Sequence, residues 1–575
     1  MKHEYMQQRE LESAVKLRGG YYTPSIISDF IVEWGFDLQT QSMNILEPSC
    51  GDGSFIQSVS RHLSNSASNK KDISLLGVEF DNLESEKARK RFNKMKKKFG
   101  CKGKIINDDY FDYMLNTNDL IAKRKFDLIL GNPPYIRYQY FEHGKSIAEK
   151  NFDELGIKTT KHANSWLYFV ADCVSKMSDY SRIGLVIPAE LLHISYAKGL
   201  RKWLSETLDI TVIVTFEELV FPNVQQEVVI LLGEKNPEAK GKIMKVLQKK
   251  NLAALNQEVW NETNLQAPKV IGENDKWNIY FLNQEDYSSY QKASKNSSIV
   301  AFGDVADVRI GIVTGANKFF CIDDQKLKSL GLTKGRNNGL NVLKVMGRSS
   351  EVTGLEFNEN DYGENCKKGK STNMLYFDKE FKHEKLPKKI KSYIKSGENQ
   401  EPPLNTRYKC RIRKPWYWIP YVESYDIAMF KRASKFSRLI LNQVNAFTTD
   451  TVHRISILKP DLITPKHLCF SFINSLTFLS CELEGRNYGG GVLELVPGEI
   501  RKLKMPIYQC TDEEFSKLDL MFRNGTDIEQ ILDYTDSILL KFLSQKTRKS
   551  IRKSWNKLQM RRSVRSKSKK PKESE

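Results

Sequence analysis

The chain has 575 residues, 40% hydrophobic and 28% charged, and 90 Lys and Arg against 70 Asp and Glu give a net charge of +20. No run approaches the ~20 apolar residues of a membrane-spanning helix and the opening residues carry no apolar stretch, so neither a membrane protein nor a secreted one is expected. Nine cysteines without a CxxC pair point away from a disulfide framework or a zinc ribbon, and towards reduced thiols in a cytoplasm, while the basic excess suits a nucleic acid partner.

In chain order, short apolar runs alternate with helical patterns. Residues 44–47 read as a strand, 54–63 as a helix, 73–80 as a second strand and 83–99 as a charged amphipathic helix. Residues 104–106 and 126–130 are the third and fourth strands. A helix at 165–177, a strand at 183–187, a helix at 198–207 and strands at 210–216 and 227–232 close the series. This alternation predicts an α/β domain over 1–240, with a mainly parallel sheet covered by helices on both faces. Such sheets bind ligands outside the carboxyl ends of their strands. Polar sequence over 241–299 reads as a connection. Short strand-like runs mixed with Gly, Asn and basic clusters then predict a second domain of mixed α+β kind over 300–545, with a helix at 528–543. Residues 546–575 hold 13 Lys and Arg against two acidic residues and are expected to be a disordered basic tail. Such a tail either touches DNA or is merely solvated.

The strand ends carry the chemistry. The first strand runs into Glu47-Pro48-Ser49-Cys50-Gly51-Asp52-Gly53, where Gly51 and Gly53 allow a tight turn and close approach of a ligand. The third glycine of a dinucleotide fingerprint is missing, and a GxG turn alone can be only a turn. Glu79 ends the second strand, where an acid can accept from a ribose diol or be an ordinary surface acid. Asn107-Asp108-Asp109-Tyr110 ends the third, a polar patch able to clamp an adenine edge. Together the three describe a nucleoside pocket. The fourth strand ends Gly131-Asn132-Pro133-Pro134-Tyr135. Two prolines stiffen this loop, so the Asn132 carboxamide oxygen and the Pro133 carbonyl can face one site as acceptors, with Tyr135 as a platform beside them. Two acceptors on a planar amine favour a more tetrahedral nitrogen and hold its lone pair towards an electrophile.

That last motif resembles the catalytic loop of amino methyltransferases that use S-adenosylmethionine. Gly20-Tyr21-Tyr22-Thr23-Pro24 resembles the N-terminal cofactor motif of N6-adenine DNA methyltransferases, and Glu47 to Gly53 their main cofactor loop. Val308-Arg309-Ile310-Gly311-Ile312-Val313-Thr314-Gly315-Ala316-Asn317 resembles the opening of their target-recognition domain. Gly485-Arg486-Asn487-Tyr488-Gly489-Gly490-Gly491, followed by Glu494, resembles a motif late in it. The order is that of the gamma class of restriction–modification systems, the group of the TaqI and BseCI modification enzymes.

The resemblance implies a class I S-adenosylmethionine-dependent methyltransferase fold, Rossmann-like with a mainly parallel sheet, followed by a C-terminal target-recognition domain. It implies methyl transfer from S-adenosylmethionine to the N6 amino group of an adenine flipped out of double-stranded DNA. It places Thr23 and Glu47 at the methionine part of the cofactor, Gly51 and Gly53 in its loop, Glu79 at the ribose, and Asp109 (or Asp108) with Tyr110 at the adenine. Asn132 and Pro133 would take the target amino group and Tyr135 would stack on the target base. Phe221, in Val220-Phe221-Pro222-Asn223, would be the second stacking residue. No metal is expected. The implied partners are double-stranded DNA and, functionally, a separately encoded restriction endonuclease. The implied state is a monomer at the nucleoid of a prokaryotic cytoplasm.

Arg407 to Trp418 interleaves cations with aromatics, and part of that set can read bases while the rest fills a core. Lys344 and Arg348 are further candidates. Methylation of protein glutamine or of RNA adenine uses related chemistry. The Tyr-Thr-Pro motif, the Val-Thr-Gly motif and the long second half argue for DNA. Cofactor motifs starting near residue 20 leave no room upstream for a fused nuclease.

Overall fold

The computed structural model describes residues 22–38, 40–65, 72–158, 163–218, 220, 227–255, 276–377, 383–488 and 491–567. The chain divides into two compact units, Met1–Phe281 with Val564–Glu575, and Leu282–Ser563.

The first unit is built on an eight-stranded sheet. Its strands are β1 (Ser42–Glu47), β2 (Asp72–Glu79), β3 (Lys102–Asn107), β4 (Phe126–Gly131), β5 (Met177–Pro188), β6 (Ile210–Phe216), β7 (Val228–Lys235) and β8 (Ile243–Lys249). Their spatial order is β3-β2-β1-β4-β5-β7-β6-β8. All neighbours run parallel except β7, which is antiparallel to both β5 and β6. The helices are α1 (Ser25–Phe36), α2 (Ser54–Asn65), α3 (Asn82–Phe99), α4 (Tyr110–Asn116), α5 (Lys145–Glu154), α6 (Ser165–Ser175) and α7 (Lys198–Thr207). Helix α3 shows why such segments are helical. Asp81 caps its N-terminus by accepting from the Leu83 and Glu84 N–H groups, Lys96, Lys97 and Lys98 sit at its negative end, and Gly100 closes it in the left-handed region. Its buried stripe, Ser85, Ala88, Phe92 and Met95, follows the helical period and joins Ile45, Leu75 and Phe55 in the core. Because β1 to β4 all run parallel, their carboxyl ends and the loops that follow them gather on one edge of the sheet.

The second unit is of mixed α+β kind. One five-stranded sheet has the order Ala306–Ile310, Val452–Ile457, Ile427–Phe430, Leu439–Asn442, Glu356–Phe357. Another is built around Leu340–Met346 and Asn373–Phe377. Its longer helices include α8 (Gln284–Ser294), α9 (Lys388–Glu398), α10 (Ser475–Glu484), α11 (Asp512–Arg523), α12 (Ile528–Leu539) and α13 (Gln545–Lys567).

Three expectations about the domains need correction. The connection expected over 241–299 is not one: β8 is an edge strand of the first sheet, and α8 belongs to the second unit. The limits expected at 240 and 300 give way to a single division at 281/282. The tail expected over 546–575 is helix α13 as far as residue 567. Its basic composition hides an apolar face: Ile551, Trp555 and Leu558, spaced by four and three residues, are all at most 5% exposed. Trp555 meets Phe478 of α10 with ring centroids 5.4 Å apart. The same face carries Arg562, which is 1% exposed. Among the described residues no helix is long and apolar enough to cross a membrane.

Candidate cofactor and catalytic site

The loop after β1 is strapped to the end of β2. The Cys50 N–H donates to the Val78 carbonyl at 2.9 Å. The Gly51 N–H donates to Glu79 Oε2 and the Asp81 N–H to Glu79 Oε1, both at 2.8 Å. Gly51 and Gly53 have φ of +51° and +84°, where a side chain is strained. A Cβ on Gly53 would also sit 3.0 Å from Ala88 Cα of α3, whereas one on Gly51 would meet nothing within 4 Å. The turn is thus closed on the helix side and open at Gly51, as a ligand cradle must be.

Glu47 ends β1 and is 1% exposed. Its Oε2 has no hydrogen-bond partner among the described residues. Burial pushes its carboxyl well above the usual carboxylate range, and the nearby Asp52 and Glu79 carboxylates push the same way. Burial also raises Glu79, opposed by the Asp81 and Gly51 N–H groups that bond it. A buried carboxylate with one oxygen that no described residue bonds, and a half-buried one on the same rim, call for a cationic, hydroxyl-bearing ligand. Thr23 is buried just before α1, and Tyr22 beside it donates to Glu84 of α3 at 2.9 Å. Gly20 and Tyr21 lie outside the described residues.

At the third strand end the structure separates the two expected adenine residues. Asp109 caps α4, accepting from the Phe111 and Asp112 N–H groups at 2.9 and 3.1 Å. Asp108 accepts from the Asp109 N–H. Tyr110 does not face a ligand: it is 3% exposed, its hydroxyl donates to Asp172 at 2.7 Å, and its ring stacks on Phe169 at 5.3 Å. As the first residue of α4 it takes the buried side of the helix, so its side chain cannot hold the adenine. Reading by sequence missed Phe80 instead. It follows Glu79, is 57% exposed, and lies with its ring centroid 5.1 Å from that of His143. An apolar residue directly after a strand-end acid was the available signal.

The loop after β4 is held from two sides. Ser49 Oγ donates to the Asn132 carbonyl at 3.2 Å, tying it to the β1 loop. Ser165, fully buried at the start of α6, donates to the Pro134 carbonyl at 2.5 Å and accepts from the Ile136 N–H at 2.9 Å. A Cβ on Gly131 would lie 3.5 Å from Pro48 and 3.9 Å from Glu47 Cγ, so the two loops are in contact. Pro133 is buried. The Tyr135 hydroxyl lies 2.6 Å from Asn132 Oδ1 and 3.0 Å from the Val186 carbonyl, and its ring packs against the core of the sheet. Asn132, Pro133 and Tyr135 therefore belong to a loop that adjoins Glu47 and the loop after β1. Phe221 lies outside the described residues. No cluster of His, Cys, Asp and Glu able to hold a metal occurs among the described residues.

A sheet ordered 3-2-1-4-5-7-6 with only β7 reversed, with a glycine turn and acids at its first two strand ends, defines a class I S-adenosylmethionine-dependent methyltransferase. The N-6 DNA Methylase family matches residues 2–307, more than half of the chain. The chain belongs to that family, and is a DNA adenine methyltransferase. The reading as an RNA or glutamine methyltransferase gives way to it. Residues 274–540 match the family of the C-terminal domain of the Type II methyltransferase M.Eco57I. The Type II methyltransferase M.AccI of Acinetobacter calcoaceticus is 25% identical over 569 residues, 95% of this chain and 97% of the relative. The Type II restriction enzyme and methyltransferase RM.Eco57I of Escherichia coli is 24% identical over 38% of this chain and 21% of its own length. Among solved structures, a DrdV–DNA complex shares the fold with a TM-score of 0.50 at 12% identity, over 89% of this chain and 58% of that one.

The residues present fit S-adenosylmethionine. The Glu47 carboxylate, with one oxygen that no described residue bonds, suits its cationic methionine part, Glu79 its ribose diol, the open Gly51 turn its close approach, and exposed Phe80 one face of its adenine.

Proposed function

We propose that this chain is a modification methyltransferase that recognises a site in double-stranded DNA and protects it from a separately encoded restriction endonuclease. It acts as a monomer, with the first unit catalytic and the second reading the target. Bound S-adenosylmethionine supplies a methyl group already activated by its sulfonium. The protein's own work is therefore positioning. Asn132 Oδ1 and the Pro133 carbonyl accept from the two N–H bonds of the flipped adenine's amino group and turn its lone pair towards the methyl. Tyr135, with Phe221, stacks on the base and replaces the stacking lost on flipping. The Tyr135 hydroxyl sits against Asn132 Oδ1 and orients the carboxamide. A nitrogen methylated there would become acidic and would pass its proton to solvent. A dedicated base is not needed.

The observation that carries this reading is the Asn132–Tyr135 loop fixed between Ser49 and Ser165 beside the unpartnered Glu47. The test uses labelled S-adenosylmethionine and unmethylated genomic DNA, followed by digestion to nucleosides. N6-methyladenosine is expected, at positions sharing one sequence. Asn132→Ala is expected to abolish transfer while binding the cofactor as wild type does. Full activity in that variant would refute the assignment.

A further inference from the structure

The interleaved segment of cations and aromatics resolves into an inner and an outer set. Trp416 and Tyr417 are 7% and 4% exposed and join Leu404, Cys410 and Ile419 in a core cluster of the second unit. Tyr408 and Ile412 do the opposite, at 63% and 61% exposed. They lie four residues apart, one turn along the helical stretch that starts at Tyr408. Arg407, Lys409, Arg411 and Lys414 surround them, all exposed, and none pairs with a carboxylate among the described residues. The Lys409 ammonium and the Arg411 guanidinium lie 5.2 and 6.0 Å from the centre of the Tyr408 ring. Between Glu401 and Glu423 there is no acidic residue at all.

This exposed pair is not a loose loop tip. Cys410, between the two, is fully buried. The Arg413 guanidinium donates to the Thr314 carbonyl at 2.8 Å and also to the Val313 carbonyl. Gly315, at φ +78°, lies directly beneath: a Cβ there would be 3.0 Å from both Cys410 Sγ and Lys409 Cβ. The turn is thereby clamped onto the 308–317 segment. A rigid turn that holds two large apolar side chains in water, ringed by cations that no described carboxylate pairs, gains nothing from them within its own unit. A partner must offer both a dense row of negative charge and an apolar surface within one side chain's reach. Duplex DNA does so, since its phosphates flank a base stack that apolar side chains can enter.

We infer that Tyr408 and Ile412 form an apolar wedge that enters the base stack of duplex DNA, while Arg407, Lys409, Arg411 and Lys414 hold the phosphates on either side. The inference rests on the reading of duplex DNA as substrate. The wedge is separate from the residues that receive the flipped base, and it supplies the distortion of the duplex that lets a base leave its stack.

The test compares wild-type protein with Tyr408→Ala/Ile412→Ala and with Arg407→Gln/Lys409→Gln/Arg411→Gln. Each is first shown to melt as wild type does, which the exposure of all five side chains predicts. Binding to unmethylated plasmid DNA is measured over a salt series, and the linking number of the plasmid is read after topoisomerase relaxation with protein bound. The apolar variant is expected to bind about tenfold more weakly, as loss of a stacked aromatic does, with an unchanged salt slope. Per bound protein it should leave at least a threefold smaller linking deficit. The charge variant is expected to lose about 0.9 of salt slope for each phosphate contact removed, while still unwinding what it binds. If wild type methylates the plasmid and the apolar variant binds and unwinds it equally, the wedge is wrong and the enzymatic reading stands. If wild type neither binds nor methylates the plasmid, both fall.

Discussion

Glu47 shows what a buried, incompletely bonded acid costs a fold. A carboxylate that is 1% exposed and has one oxygen without a partner among the described residues disfavours its own charge. Its folded pKa is raised well above the carboxylate value, chiefly by burial. The sign of the pH effect follows. Below the unfolded pKa of about 4.3 the group is protonated in both states and contributes nothing. As pH rises towards the folded pKa, the unfolded chain loses its proton first, so the fold is progressively destabilised. Glu47→Gln removes that burden. The variant's melting temperature is expected to match wild type near pH 4 and to exceed it increasingly between about pH 5 and pH 8. The same variant should bind S-adenosylmethionine at least about tenfold more weakly, since a neutral amide cannot offset a cation (about 1.4 kcal/mol per tenfold). Melting curves over pH and a cofactor titration decide it. A constant difference in melting temperature, with unchanged cofactor affinity, would mean that Glu47 is only a packing residue.

Helix α13 carries the comparable argument at the scale of an element. Its composition is that of a solvated tail, with no acidic residue between Gln545 and Lys567. Beside its apolar face, one charged residue fixes its position: Arg562, which is 1% exposed and pairs with Glu482 of α10, itself 2% exposed, at 2.8 Å. The guanidinium also donates to the Ser434, Lys435 and Gly491 carbonyls at 2.5, 2.9 and 2.5 Å. It thereby holds Gly491, the last glycine of the motif that the sequence singled out. Arg562→Met leaves Glu482 charged, buried and unpaired, a defect worth about 3–5 kcal/mol. Urea unfolding followed at Trp555 should show that loss. Adding Glu482→Leu should recover much of it, because removing both charges avoids the desolvation penalty that removing one exposes. Removal of everything after Lys546 should likewise unfold part of the second unit, rather than merely weaken DNA binding. A single variant as stable as wild type would show that the helix is undocked and that the tail reading was right.

For the whole molecule, legibility in the sequence tracks how local each cause is. The first seven strands were readable because each is a short apolar run, and their ends were readable because the site chemistry is concentrated there. Strand β8, Ile-Met-Lys-Val-Leu-Gln-Lys, was not: an edge strand with one solvated face looks like polar connection. Helix α13 was hidden because a spacing of four and three residues counts for little against ten cations. Tyr110 and Tyr408 were misjudged or undecided for one reason: exposure depends on tertiary neighbours such as Phe169 and Cys410, which no local pattern names. Charge is the property that the whole sequence states most directly, and it yields a prediction for the whole enzyme. Of the net +20, +11 lies in residues 546–575, where Arg562 is buried against Glu482 and Arg552 pairs with Asp533 and Asp536 but most other described cations face water, and cations that pair with no described carboxylate ring Tyr408. Such charge acts over a Debye length of about 8–10 Å and raises the rate of encounter with DNA. On the function proposed above, the transfer step depends instead on Asn132, held by a short bond to Tyr135, and on Glu47, held by burial, and salt screens neither much. Raising salt from about 50 to 200 mM should therefore lower kcat/KM for DNA at least about tenfold. Over the same range kcat at saturating DNA should stay within about twofold, because the bound complex no longer depends on encounter. Initial rates over DNA concentration at each salt separate the two. A kcat that fell in step with kcat/KM would mean that the surface charge helps to assemble the catalytic complex itself, and that the division between a steering surface and a pre-built site is wrong.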